Sequence, residues 1–243
     1  MGRYISGFHA VEEYLKREGS KAILLVSGRG GRMERIASLA RAKGVPVHSV
    51  SFEELSRILG GDRHRGVLLQ IDDEIPSPRG VLKTFLKNLE SQQSLVVILD
   101  GITDPHNLGA ILRTADQFAV DLVILPSHKA ARETDTVASI SSGASAWVPV
   151  SIETNLCNAM TLMKKEGFWI YGADLQGSLV TQVELSGRVG LVIGSEGGGI
   201  RQLVRKMCDG LIRIPSSGHV DSFNASVAAG ILMYEARRQQ GFT

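Results

Sequence analysis

Apolar and polar positions alternate along this chain with two periods, and the switches between them mark out its elements. Residues 7–16 place Ala10, Val11, Tyr14 and Leu15 on one side at helical spacing. A β-rich run over 22–26 and a glycine turn over 27–31 follow. The next helix, 33–42, would bury Ile36, Leu39 and Ala40 and stop at Gly44, as at a helix C-cap. A strand over 45–50, a helix over 52–59 and a strand over 67–71 complete a small α/β sandwich. The run 72–78 then combines acidic residues with Pro76 and Pro78, which block regular structure and mark a domain boundary.

A helix over 81–89 and a polar run over 91–94 lead into a different pattern. Leu95–Leu99 is apolar at every position, as in a strand buried on both faces of a parallel sheet. Asp104 followed by Pro105 starts a helix, an N-cap acceptor and then proline at N1, and that helix runs to about Phe118. Further strands are expected at 122–125, 148–150, 168–171, 189–193 and 211–214, with helices at 136–146, 156–165, 200–207 and 224–238. The second domain is thus α/β around a parallel sheet. The division expected is 1–71 for the first domain, 72–92 for a linker and helix, and 93–243 for the second.

Composition narrows the class. With 43% hydrophobic and 21% charged residues over 243 positions, the chain has ample material for a core, and no apolar run is long enough for a membrane span. Met1–Tyr4 lead into a polar, helix-like stretch rather than a secretory leader. Cys157 and Cys208 are far apart and form no CxxC, so neither a disulfide framework nor a zinc site is expected, and a cytoplasmic setting is. No His, Cys and acid spacing argues for a metal, and His106 and His219 are expected to face solvent. Residues 1–71 hold 12 Lys/Arg against 7 Asp/Glu, a balance of +5, whereas the rest holds 15 against 18, or −3. A basic front is suited to an anion such as RNA, and the loop Asp62–Gly66 is a candidate to touch it.

The chemistry concentrates late in the chain. Gly194-Ser195-Glu196-Gly197-Gly198-Gly199 closes an apolar strand, a place where backbone comes close to a ligand. Neither GxGxxG nor GxxxxGK[ST] stands at the first βα turn, which disfavours a dinucleotide oxidoreductase. Three segments together are more specific. Asp104–Ala115, Leu191–Gly197, and Ile212–Pro215 followed by Ser222–Ala228 resemble, in order and spacing, the three motifs of the SpoU, or TrmH-type, RNA ribose 2′-O-methyltransferases. Gly7–Val11 and His64-Arg65-Gly66 resemble the L30e-like substrate-binding domain that some members carry.

The resemblance implies a knotted α/β fold with a C-terminal trefoil, an S-adenosylmethionine pocket formed by the knot loops, and a homodimer. It implies methylation of an RNA ribose, most nearly that of a guanosine in 23S ribosomal RNA. Transfer RNA, or a non-catalytic RNA-binding role, remains as an alternative. By motif, Asn107, Arg113, Glu196, Ser222 and Asn224 are the catalytic set, and Gly194, Ile214 and Phe223 line the cofactor. Leucine is usual in the family where Phe223 stands, and asparagine–valine where Asn224-Ala225 stands. Each catalytic candidate also has a plain structural reading. Asn107 would cap its helix, Arg113 would pair with Asp116, Glu196 would order turn amides, and Ser222 and Asn224 would cap the last helix. A guanidinium holds its proton to a pKa above ~12, so Arg113 is suited to clamping a phosphate and placing the ribose rather than to taking a proton. Asn107 and Arg113 lie six positions apart and do not share a helix stripe, so they converge only if other segments close around the helix.

Overall fold

The computed structural model describes residues 3–17, 22–71, 80–127, 148–218 and 222–242, which fall into two compact units, one ending by residue 75 and one beginning at residue 76. The helix expected over 136–146, and His219, lie outside the described residues.

The first unit contains β1 (Arg3–Ser6), α1 (Phe8–Arg17), β2 (Ala22–Val26), α2 (Gly31–Ala42), β3 (Val47–Ser49), α3 (Phe52–Leu59) and β4 (Val67–Ile71). Its sheet order is β1-β4-β2-β3, with β4 antiparallel to both neighbours and β2 parallel to β3. Alternation along β4 explains the layers: Val67 and Leu69 join a core with Val11, Leu15 and Ile36, while Leu68 turns to the opposite face and meets Leu55 of α3. The strand β1 has no counterpart in the sequence reading. Four residues, Arg-Tyr-Ile-Ser, show too little alternation to separate a strand from a tail, and β1 is fixed only by its pairing with β4.

The second unit runs α4 (Val81–Lys87), β5 (Ser94–Asp100), α5 (Pro105–Gln117), β6 (Leu122–Pro126), β7 (Val150–Glu153), α6 (Leu156–Lys165), β8 (Trp169–Leu179), β9 (Arg188–Gly194), α7 (Gln202–Met207), β10 (Gly210–Arg213) and α8 (Ala225–Gln239). Its six strands are all parallel, in the order β10-β8-β9-β5-β6-β7. Every residue of β5 is buried, the apolar run Leu95–Leu99 as expected of a central strand and Ser94 and Asp100 at its ends with it. One face of the sheet packs Leu82, Met160, Met163 and Val204 from α4, α6 and α7 onto Val96, Ile98, Ile124 and Val192. On α5 and α8, which pack on each other, the stripes Leu108, Ile111, Leu112 and Ala115, and Ala225, Ala229, Leu232 and Ala236, are buried.

The chief departure is β8, which extends well beyond the expected 168–171. It pairs with β10 twice: Tyr171 and Gly172 face Gly210 and Leu211, then Ser178 and Leu179 face Ile212 and Arg213. The chain between those pairs bulges, and Gly177 lets the β10 backbone approach to where a side chain would stand. Sequence periodicity does not reveal a bulge of this size.

Candidate active site

The strand ends of β5 and β9 lie side by side, Asp100 opposite Gly194, and the loops leaving them carry the first two motifs. In an open parallel sheet the carboxyl ends of the strands are where ligands bind. After Gly101, which has a positive φ, the chain reaches Asp104, whose Oδ1 accepts from the His106 amide at 3.0 Å and caps α5. The cap is Asp104 rather than Asn107, and the Asn107 side chain is left for another task. It sits on the first turn of α5, 9% exposed, and its Nδ2 donates to Glu196 Oε1 at 3.0 Å.

Glu196 stands on a tight turn closed by Ser195 and Gly199, which exchange backbone hydrogen bonds of 3.1 and 2.9 Å. Gly197 and Gly199 adopt φ of 74° and 60°, a region where side-chain-bearing residues are strained. At Gly194 a side chain would meet the Gly199 carbonyl oxygen at 2.5 Å, so glycine is required there by closure of its own loop.

The third motif completes the cluster. Asn224 caps α8, its Oδ1 accepting from the Ser226 amide at 2.9 Å, the Val227 amide at 3.4 Å and the Ser226 hydroxyl at 2.6 Å. Its Nδ2 donates to Asn107 Oδ1 at 2.9 Å and also to Glu196 Oε1. The Ala225 amide reaches the same Glu196 oxygen at 3.3 Å. Asn107, Glu196 and Asn224 therefore form a closed triangle in which each side chain bonds the other two. Such bonds to a carboxylate are of the stronger, charge-assisted kind. The capping expected of Asn224 is present together with the site contact.

The other candidates are not gathered into the triangle. Arg113 is exposed and, among the described residues, pairs with neither Asp116 nor any other acid; six helical positions carry it about 120° around α5 from Asn107. Ser222 is exposed at a bend and makes no hydrogen bond among the described residues. Phe223 is 40% exposed beside Asn224, and Ile214 is half-buried just past β10. An exposed aromatic side chain at Phe223 and a carboxylate at Glu196 are residue types that suit a ligand with a purine ring and a sulfonium cation, so these residues fit S-adenosylmethionine. Among the described residues no group of three His, Cys, Asp or Glu is placed to hold a metal ion.

Two residues absent from the sequence reading belong to this region. Asp100 is fully buried, and Arg201 donates to it from both its amide, at 2.8 Å, and its Nε, at 2.6 Å. An acid ending a wholly buried apolar strand was the available signal.

In the first unit, the loop Asp62–Gly66 divides its roles. His64 is fully buried, its Nδ1 accepting from the Gly66 amide at 3.0 Å and its Nε2 meeting the Ser56 hydroxyl at 2.9 Å, so it shapes the loop rather than facing outward. Arg65 is exposed at φ 52°. The Ser27 amide bonds the Gly66 carbonyl at 2.8 Å, which ties this loop to the segment leading to the exposed Arg29 and Arg32, Arg32 lying 4.9 Å over the Phe8 ring.

Comparison with known proteins agrees over both units. Residues 94–234 match the SpoU rRNA Methylase family, and residues 4–76 match RNA 2′-O ribose methyltransferase substrate binding. The 23S rRNA (guanosine-2′-O-)-methyltransferase RlmB of Neisseria meningitidis is 40% identical over 98% of this chain and 96% of its own. An uncharacterized tRNA/rRNA methyltransferase of Borreliella burgdorferi is 37% identical over 86% of this chain and 94% of its own. The SpoU methyltransferase AviRb of Streptomyces viridochromogenes, solved with AdoMet, shares the fold at a TM-score of 0.77 and 20% identity, over 98% of this chain and 90% of its own. The chain belongs to the SpoU rRNA methylase family.

Proposed function

We propose that this protein transfers a methyl group from S-adenosylmethionine to the ribose 2′-hydroxyl of a guanosine in 23S ribosomal RNA. The observation that carries the reading is the triangle of Asn107, Glu196 and Asn224, one residue from each motif. Three such groups joined at the carboxyl ends of the strands, where ligands of parallel sheets bind, support an enzyme over a non-catalytic RNA-binding protein.

Bound S-adenosylmethionine supplies an electrophilic methyl on a sulfonium. This chain supplies position and charge. Gly194, Ile214 and Phe223 line the cofactor site, and Glu196 sets a negative charge beside it. Asn107 and Asn224 hold that carboxylate in one orientation, so little is left to reorganise at the moment of transfer. Positioning of an attacking hydroxyl can contribute several kcal/mol by itself. Arg113, a permanent cation without an acidic partner among the described residues, clamps the phosphate beside the target ribose, and Ser222 lies where the third motif meets substrate. The hydroxyl proton passes to water or another group.

The same reading includes the trefoil knot, a cytoplasmic location and a homodimer. A second copy of this chain covers the apolar groove between α5 and α8, where Ala110, Phe118, Val227, Ile231 and Tyr234 line the surface and Val227 and Tyr234 are about half exposed. Docking there brings Arg113 toward the partner's site, which resolves its separation from Asn107. Residues 1–71 grip RNA through Arg29, Arg32 and Arg65, residues 72–92 link, and residues 93–243 carry out the transfer.

The test is to incubate the protein with labelled S-adenosylmethionine and either 23S ribosomal RNA or transfer RNA, then map the label. A 2′-O-methylated guanosine in 23S RNA is expected. Label on transfer RNA alone would move the substrate, and label on neither, with cofactor binding intact, would overturn the reading.

A further inference from the structure

Asp100 ends the central strand with no exposed surface, yet it carries a carboxylate. Burying a carboxylate is expensive unless its oxygens are met by donors. Here both are met by one residue: Oδ2 accepts from the Arg201 amide at 2.8 Å and Oδ1 from Arg201 Nε at 2.6 Å. Among the described residues no other donor reaches them. The Arg201 side chain is 61% exposed, so the pair joins the interior of the sheet to its rim.

The location of the pair matters more than its strength. The turn that carries Glu196 begins at Gly194, which is in register with Asp100, and is bridged across Ser195 and Gly199. It ends at Arg201, clamped to the same Asp100. Both ends of the turn are thus fixed to one residue of β5. The loop leading to Asn107 starts at Gly101, immediately after that residue, and a side chain at Gly101 would stand 3.7 Å from Ser195 Cβ. Asp100 is the common origin from which the Asn107 side and the Glu196 side of the triangle are measured.

We infer that Asp100 and Arg201 are positioning residues: their two-point clamp fixes the Ser195–Ile200 turn so that Glu196 meets Asn107 and Asn224, and thereby sets affinity for S-adenosylmethionine. The inference rests on the proposed function for its ligand, but its geometry stands apart from it. Arg201→Ala keeps the backbone bond to Asp100 but leaves Oδ1 of a fully buried carboxylate without its donor, so a loss of stability accompanies the loss of the clamp. Arg201→Lys restores a charged donor.

The experiment measures S-adenosylmethionine affinity by calorimetry, the thermal midpoint, and hydrogen exchange of residues 195–201, all on the full chain. Arg201→Ala is expected to weaken affinity ~10-fold, to speed exchange of that segment and to lower the midpoint, with affinity and exchange read well below it; Arg201→Lys is expected to recover affinity to within ~3-fold and most of the midpoint. In a Glu196→Gln background, Arg201→Ala is expected to change affinity less than ~2-fold, because residues acting through one another are not additive. Wild-type affinity in Arg201→Ala, or an equal loss in both backgrounds, would overturn the inference. A wild-type protein that binds no S-adenosylmethionine would instead sink the proposed function, and exchange of residues 195–201 alone would then decide the clamp.

Discussion

Asn224 donates its side-chain amide to Asn107 at 2.9 Å across 117 residues of chain, so the cap of the last helix is also a corner of the triangle. One side chain serves two purposes through two different atoms, the oxygen for α8 and the nitrogen for the triangle. The purposes can be separated. Serine is a good N-cap without an amide donor, whereas alanine is neither. Asn224→Ser is expected to keep stability within ~0.5 kcal/mol, and Asn224→Ala to lose on the order of 1 kcal/mol. Both should lose turnover by at least ~10-fold, since both remove a preorganised donor. Denaturant melts and methyl-transfer rates check this, and wild-type turnover in Asn224→Ser would leave Asn224 only a cap.

Gly194→Ala forces a methyl group into the Gly199–Ile200 backbone, which cannot yield as a side-chain tip could. Overpacking of this kind typically costs ~1–3 kcal/mol, and the turn carrying Glu196 would shift with it. Loss of cofactor binding together with stability is expected. Gly187→Ala, where a side chain meets open space, is the matched control and should be neutral in both assays.

The parallel sheet was readable because burial on two faces leaves an all-apolar strand such as Leu95–Leu99, a signal that needs no partner to be recognised. The helix start at Asp104-Pro105 was readable for the same reason, being local chemistry. What depends on distant pairing was not: β1 exists only against β4, and the second half of β8 only against β10. At the site, the residue types came from the motifs, but their contacts did not. Spacing alone separates Asn107 from Arg113, and nothing in a string of residues joins Asp100 to Arg201, whose bonds span 101 positions.

Burial pushes the Cys208 thiol up to about 11 from an ordinary 9.0, against the pull of Lys164. The folded state thus favours the thiol. That contribution is fully present below pH 9 and is lost as pH rises from 9 toward 11. Since the thiolate is the reacting species, Cys208 in a Cys157→Ala protein should alkylate ~100-fold more slowly at pH 8 than the same thiol in the denatured chain. Equal rates would show an open thiol.

The exposed cations of the first unit make a separate, ionic prediction. If Arg65 contacts a phosphate, Arg65→Ala should weaken binding of a 23S RNA fragment and lower the slope of log affinity against log salt by about one. Arg41, exposed in the last turn of α2, is the comparison. An unchanged slope in Arg65→Ala would remove Arg65 from the RNA interface.

Arg113 tests the homodimer and the chemistry together. Its guanidinium is exposed on α5, turned away from Asn107, and Ala110 and Thr114 on the same helix line the apolar groove. If a second copy covers that groove, each site draws Arg113 from the partner. Arg113→Lys alone should then lose most turnover while keeping S-adenosylmethionine affinity and stability, because lysine keeps the charge but not the planar fork. Glu196→Gln should also be nearly inactive. A twofold interface makes the two defects complementary: a mixed dimer holds one site with both residues intact, so co-refolded equal amounts should regain about a quarter of wild-type turnover. Tyr234→Glu, which sets a charge in the groove, should yield monomers by light scattering and abolish the recovery. Failure of the mixture to exceed either parent, with mixed dimers demonstrated, would place Arg113 in its own chain's site or outside the chemistry.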